Sequence, residues 1–156
     1  MPKVDAESFH IVPMGKKHME EVLGIESISF PTPWNQRLFQ NELENPNSRI
    51  FLLEINQGEK LTIAGHLCLW LVKDEVHILN LAVHPLYRRK GLALLLLSYA
   101  LSYSSGKNIL KAFLEVRERN YPARCLYEKV GFHRIGVGPK YYQDTGEDAL
   151  IMERDL

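Results

Sequence analysis

Between Arg49 and Val83 the chain carries three long apolar stretches separated by two tight turns, and this run limits the possible folds more than any other feature. The stretches are Arg49 to Ile55, Leu61 to Val72 and Val76 to Val83, and the joints are Asn56-Gln57-Gly58 and Lys73-Asp74-Glu75. Strand-forming runs bounded by turn residues predict a β-meander. On either side of it the pattern changes. Phe9 to Pro13 predicts a short first strand. From His18 to Phe30, Met19, Val22, Leu23, Ile25 and Ile28 suit one face of a helix. Phe30-Pro31-Thr32-Pro33-Trp34 must break that helix, because proline removes a donor and restricts the residue before it. Asn35 is placed to cap a second helix reaching about Leu43, with Leu38, Phe39 and Leu43 inward.

After the meander, Gly91 to Tyr103 predicts a helix that is apolar nearly all round and therefore buried against a sheet. Leu110 to Val116 predicts a further strand. Asn120 can cap a helix with Pro122 in its first turn, running to Val130, and Gly131 suits a left-handed C-cap. Phe132 to Val137 and Ala149 to Met152 predict a closing hairpin with a long loop. The order β-α-α-β-β-β-α-β-α-β-β implies an α/β fold of the α+β type: a single mixed, mostly antiparallel sheet with helices on both faces. With 156 residues and no repeat, low-complexity tract or Pro/Gly/Ser linker, residues 1–156 are expected to form one domain.

Charge narrows the partners. Nineteen Lys and Arg balance nineteen Asp and Glu, which argues against nucleic acid or an anionic membrane held by bulk electrostatics. The six histidines are scattered, with no HExxH or other close ligand spacing, so no metal is expected. Cys68 and Cys125 form no CxxC pair, and both are expected to be buried small hydrophobes. The apolar run Leu92 to Leu97 is too short to span a bilayer. The opening MPKVDAESFHIVPM lacks the hydrophobic stretch of a signal peptide, so a cytoplasmic protein is expected.

The segment richest in chemistry is Leu81-Ala82-Val83-His84-Pro85-Leu86-Tyr87-Arg88-Arg89-Lys90-Gly91-Leu92-Ala93. Three cations stand immediately before a helix N-terminus, which already carries partial positive charge and disfavours them by a few tenths of a kcal/mol each. A bound anion removes the conflict, because the first N–H groups of the helix can hold phosphate oxygens and Gly91 permits close approach. On this physics alone a solvated basic loop accounts for the charges equally well. Neither a P-loop nor a dinucleotide-binding glycine fingerprint is present.

Arg88-Arg89-Lys90-Gly91-Leu92-Ala93 resembles the [RQ]-x-x-G-x-[GA] acetyl-CoA loop of the GNAT acetyltransferase superfamily, with alanine at a last position where many members have glycine. Leu114-Glu115-Val116-Arg117, Asn120 and Leu126 to Phe132 are similar to that family's second conserved block. Phe30 to Trp34, Phe39 to Leu43, Tyr141-Tyr142, Glu147-Asp148-Ala149 and Met152 are similar to its ribosomal-protein-alanine branch. Tyr121-Pro122 departs from the small residues common in related enzymes. The resemblance runs from about Phe9 to Met152 and implies an N-acetyltransferase using acetyl-CoA and no metal. Its expected target is a protein N-terminal α-amine, with a ribosomal protein's N-terminal alanine foremost. Acetylation of lysine or small amines, and a non-catalytic acyl-CoA-binding module, remain as alternatives.

Glu115 is unusual on local grounds alone. It interrupts an apolar strand that reads as covered on both faces, where a carboxylate tends to have a raised pKa and a function, although a Glu reaching solvent near a strand end is the plainer reading. The resemblance makes Glu115 the general base for the amine and Tyr127 the general acid for the departing thiolate. Spacing alone makes Tyr127 a packing residue beside Leu126 and Val130. The resemblance further implies cofactor contacts from Leu81, Ala82 and Val83, from Arg88, Arg89, Lys90, Gly91, Leu92 and Ala93, and from Asn120 and Tyr127. Val83 would offer its N–H to the thioester oxygen. Asn120 serves equally as a helix cap. Phe30 and Trp34 on one side, with Tyr141 and Tyr142 on the other, would wall a groove for the peptide N-terminus.

Overall fold

A computed structural model describes residues 8–156. The opening seven residues, part of the stretch read for a signal peptide, lie outside the described residues. Seven strands appear in the order β1-β2-β3-β4-β5-β7-β6: β1 (Phe9–Pro13), β2 (Ser48–Gln57), β3 (Lys60–Val72), β4 (Glu75–Val83), β5 (Lys111–Arg117), β6 (His133–Gly138) and β7 (Ala149–Asp155). The helices are α1 (Met19–Ser29), α2 (Gln36–Glu44), α3 (Leu92–Ser105) and α4 (Tyr121–Lys129). Element order agrees with the sequence pattern throughout, and the sheet is mixed: β4 and β5 run parallel while β1–β2, β5–β7 and β6–β7 are antiparallel.

The chain divides into two compact units, one holding residues up to Cys68 together with Asn80–Leu97, the other Leu69–Leu79 with Ser98–Leu156. In the first unit, β1 pairs with β2 from Phe9↔Ile55 to Pro13↔Phe51. Residues 50–53 and Ile55 of β2 are buried, and α2 packs on this strand. Burial in β3 is unbroken from Ile63 to Leu69, the mark of a strand covered on both faces. Gly65 is needed there for space: a Cβ would stand 2.8 Å from the Ala82 carbonyl oxygen and 3.3 Å from both Leu96 Cδ1 and Val83 Cγ2.

In the second unit, β5 and β7 pair along their whole length, from Lys111↔Asp155 to Arg117↔Ala149. Ala112, Leu114, Val116, Leu150 and Met152 are buried there with Tyr127 and Phe132. Asn120 caps α4 by accepting from the Ala123 N–H at 3.3 Å. Gly131 adopts φ +96° just beyond that helix, as a C-cap in the left-handed region requires.

Three expectations need correction. Ile28 and Leu38, expected inward, are 53% and 45% exposed, because α1 and α2 bury narrower stripes centred on Val22, Ile25 and Phe39. On α3, Leu92, Leu96, Leu97, Ala100 and Leu101 are buried while Leu95 and Tyr99 face outward, so its all-round apolar surface does not mean all-round burial. Cys68 is buried as expected, but Cys125 is exposed on α4. Among the described residues no helix is long and apolar enough to cross a membrane.

Candidate active site

In the first unit, β4 ends at Val83, a 3-10 turn follows at Pro85–Tyr87, and α3 begins at Leu92. The turn is fixed by His84, whose Nδ1 accepts from the Leu86 N–H at 3.1 Å. Between turn and helix the backbone enters the left-handed region at Arg89 (φ +62°) and again at Gly91 (φ +76°). Such alternation can point successive N–H groups toward one concavity. The first N–H groups of α3 also lack intrahelical acceptors. A Cβ added at Gly91 would meet nothing within 4 Å, so the space over the loop is open. Arg89 and Lys90 are exposed around it, Leu92 is buried as the helix anchor, and Ala93 is half-buried. Left-handed backbone, free helix N–H groups and two exposed cations are together the features of an anion-binding loop.

Arg88 is engaged differently from its neighbours. Its Nε donates to the Val83 carbonyl at 3.0 Å and its Nη2 to Ser29 Oγ at 3.4 Å. The guanidinium therefore ties the loop back to the strand end and to the end of α1. Just past β4 the His84 N–H donates to the Ala64 carbonyl of β3 at 2.7 Å. Strand alternation then turns the N–H groups of Leu81 and Val83 to the opposite edge. Val83 and Ala82 are buried and Leu81 half-buried. The register with β5 covers Glu75↔Lys111 to Ile78↔Leu114, and β4 itself runs on to Val83.

Phe30 and Trp34 are half-buried on the link from α1 to α2. Beneath them lies a buried polar cluster that the sequence pattern did not mark. Glu26 is 1% exposed; its carboxylate accepts from Asn80 Nδ2 at 2.9 and 3.1 Å, from the Trp34 N–H at 3.0 Å, and meets His66 Nε2 at 3.0 Å. Glu26 sits beside Ile25 in an ordinary amphipathic helix, where a glutamate looks like surface. The available signal was His66 inside the apolar run of β3.

In the second unit, Glu115 is exposed, correcting the expectation of a strand covered on both faces. On β5 the buried positions are Ala112, Leu114 and Val116, so Glu115 takes the open face by strand alternation. Tyr127 is buried on α4, its ring 5.9 Å from Phe132. Burial pushes its phenol up to about 12, with Tyr142 adding to the effect. Burial also pushes Tyr142 up to about 12; Arg117 opposes the rise, while Tyr141, Glu115 and Glu147 add to it. Both phenols are protonated at neutral pH, as an ordinary phenol is, and burial extends that state to higher pH.

Tyr141 and Tyr142 stand edge to face, 5.0 Å apart, in the β6–β7 loop. Arg117, also missed from sequence as a site element, holds that loop. Its guanidinium grips Asp144 through two bonds of 2.9 and 2.8 Å and lies 4.0 Å from the Tyr142 ring centre. Asn120 is occupied as the α4 cap. Cys68 is no nucleophile: burial pushes its thiol up to about 12. Among the described residues no cluster of three or more His, Cys, Asp or Glu could hold a metal.

The sequence model of the acetyltransferase (GNAT) family matches residues 19–132. A Bacillus subtilis (strain 168) protein, named as a proposed ribosomal protein bS18-alanine N-acetyltransferase, is 38% identical over 140 residues, covering 89% of this chain and 90% of its own. The Escherichia coli (strain K12) ribosomal protein bS18-alanine N-acetyltransferase is 32% identical over 130 residues, covering 82% and 84%. The crystal structure of the ribosomal-protein-S18-alanine N-acetyltransferase from Escherichia coli superposes with a TM-score of 0.84 at 29% identity, covering 94% of this chain and 93% of that one. The family model's match over residues 19–132, together with a relative 38% identical over 89% of this chain, identifies the protein as a member of the GNAT acetyltransferase family.

Proposed function

We propose that the chain, acting as one catalytic domain over residues 1–156, transfers the acetyl group of acetyl-CoA to a protein's N-terminal α-amine, with the N-terminal alanine of a ribosomal protein as target. Such a substrate would set the reaction in the cytoplasm. The observation that carries the reading is the loop between β4 and α3, where the backbone turns left-handed at Arg89 and Gly91, the space over Gly91 is open, and Arg89 and Lys90 stand exposed before the helix start. In the second unit Glu115 offers an exposed carboxylate and Tyr127 a buried phenol, the acceptor and donor that amine acylation requires.

The residues divide the work by chemistry. In the first unit the N–H groups of the loop from Arg88 to Ala93 hold the pyrophosphate of acetyl-CoA, with Arg89 and Lys90 as counter-charges. Arg88 fixes the strand end to which this loop is joined. The outward edge of Leu81–Val83 pairs with the amides of the pantetheine arm as an added strand would, and the Val83 N–H faces the thioester oxygen, where negative charge develops. In the second unit Glu115, directly or through a water, takes a proton from the substrate ammonium, which has an ordinary pKa of about 8 and is mostly protonated at neutral pH. The amine attacks the thioester carbon, the carbon–sulfur bond breaks while Tyr127 hydrogen-bonds the departing sulfur, and the second proton that the nitrogen sheds to solvent in becoming an amide balances the one the thiolate takes up. Phe30 and Trp34, with Tyr141 and Tyr142, receive the first residues of the peptide.

The test is an acetylation assay on arrayed peptides that varies the first four residues, with the α-amine free or blocked. Acetylation that needs a free α-amine and favours an initial alanine is the expected result. Transfer to internal lysine on blocked peptides, or acetyl-CoA binding without transfer to any peptide, would overturn the reading.

A further inference from the structure

Glu26 holds the segment Phe30–Trp34 at both ends. Its main-chain carbonyl accepts from the Phe30 N–H at 3.3 Å, and its carboxylate Oε2 accepts from the Trp34 N–H at 3.0 Å. Between these anchors lie Pro31 and Pro33, whose rings fix φ and stiffen the link. The Trp34 side chain reaches the same cluster by a second route. Its ring is 5.3 Å from Phe39, and Phe39 meets His66 edge-on at 5.8 Å. His66 in turn bonds the other Glu26 oxygen.

Stability alone does not explain this carboxylate. A buried ionised group costs several kcal/mol to desolvate, and apolar replacements of similar volume are often no less stable. The cluster also leaves Asn80 Oδ1 and His66 Nδ1 without partners among the described residues. With no acceptor at Nδ1, the hydrogen-bond pattern selects the His66 tautomer that donates from Nε2. What the carboxylate does supply is several acceptor sites on two oxygens, bonding β3 through His66, β4 through Asn80, and a loop N–H at once. Asn80 immediately precedes Leu81–Val83.

We infer that Glu26 is a positioning residue for peptide recognition, setting the Phe30–Trp34 wall at a fixed height above β3 and β4. This rests on the proposed peptide-acetyltransferase reading. It differs from the roles given to Glu115 and Tyr127, because Glu26 would act through the Phe30–Trp34 segment rather than on a reacting group.

The test is Glu26→Gln in a Trp70→Phe background, which leaves Trp34 as the sole indole. Glutamine keeps the shape but offers one acceptor oxygen, so an NH2 group must face either Trp34 N–H or His66. The peptide KM should rise about tenfold, the order expected for a lost hydrogen bond to a charged group. The kcat should stay within about threefold, acetyl-CoA affinity by calorimetry should be unchanged, and Trp34 emission should shift to the red. A merely stabilising Glu26 would lower the melting temperature and the active fraction while leaving peptide KM and Trp34 emission in place, and that result overturns the inference. If Glu26→Gln does not fold, amide exchange in the unaltered protein decides. A Trp34 N–H exchanging much more slowly than a free loop amide supports the anchor, and an unprotected one overturns it. Failure of the unaltered protein to acetylate any peptide would instead refute the activity on which the inference rests.

Discussion

Replacing Tyr127 with phenylalanine isolates one hydroxyl in the proposed chemistry. The phenol sits at about 12, so at pH 7.5 roughly one molecule in 30,000 carries the phenolate. The group is available as a donor at every working pH. It is also a weak acid for the task. Complete transfer to a free thiolate, with a thiol pKa of about 8.5, would run uphill by about 5 kcal/mol. Tyr127 should therefore act by hydrogen bonding to the sulfur as charge develops, the thiolate leaving hydrogen-bonded and taking its proton afterwards from solvent. A hydrogen bond to a charged group contributes about 1.5–3 kcal/mol, which predicts a fall in kcat of roughly 10- to 150-fold. The ring remains packed at 5.9 Å from Phe132, so the variant should fold. The assay is release of CoA thiol at saturating acetyl-CoA and peptide, with the melting temperature measured in parallel. A kcat within threefold of the parent would refute the general-acid role and leave Tyr127 as packing. Alkaline stability supplies a second check. The folded phenol, at about 12, lies above its ordinary value of 10.0. The associated stability is complete below pH 10 and is lost as pH rises toward 12, by up to about 3 kcal/mol. Tyr127→Phe should lose stability less steeply than the parent across that interval.

Glu115→Gln should lower kcat/KM for an alanine-initial peptide at pH 6 to 7, and the defect should shrink toward pH 9, where more of the amine is already free. Parallel pH profiles for the two proteins would exclude a base role. Gly65→Ala should destabilise by about 1–3 kcal/mol through overpacking, because the added Cβ meets the Ala82 carbonyl at 2.8 Å. A melting temperature unchanged by this substitution would show that β3 yields more readily than its two-sided burial implies.

Much of this arrangement was legible in the chain because local rules governed it. Asn35 and Asn120 cap helices in sequence and in structure, and Gly131 ends α4 in the left-handed region. The turns of the meander fall where Gly58 and Lys73 allow positive φ. What stayed hidden depended on tertiary contacts. Whether Ile28, Leu38 or Leu95 faces inward depends on how much of each helix its neighbours cover, and periodicity carries no such information. Glu115 looked buried because its neighbours in sequence are apolar, yet its neighbours in space leave it open. Glu26 posed the opposite problem. Its partners His66 and Asn80 lie 40 and 54 residues away in sequence, so nothing local distinguishes it from a surface glutamate. Arg88 was visible as a cation, but its bond to the Val83 carbonyl was not.

The left-handed backbone at Arg89 bears on turnover. A non-glycine residue held there costs roughly 1 kcal/mol, and the fold meets that cost once, when the chain is made. In the proposed cofactor site, a loop already in this shape has little rearranging to do when each nucleotide tail arrives, so less of the contact energy is consumed in ordering the site. Release of the spent carrier would then be timed by how many N–H bonds to phosphate must break together, and added salt, which competes for those contacts, should speed it.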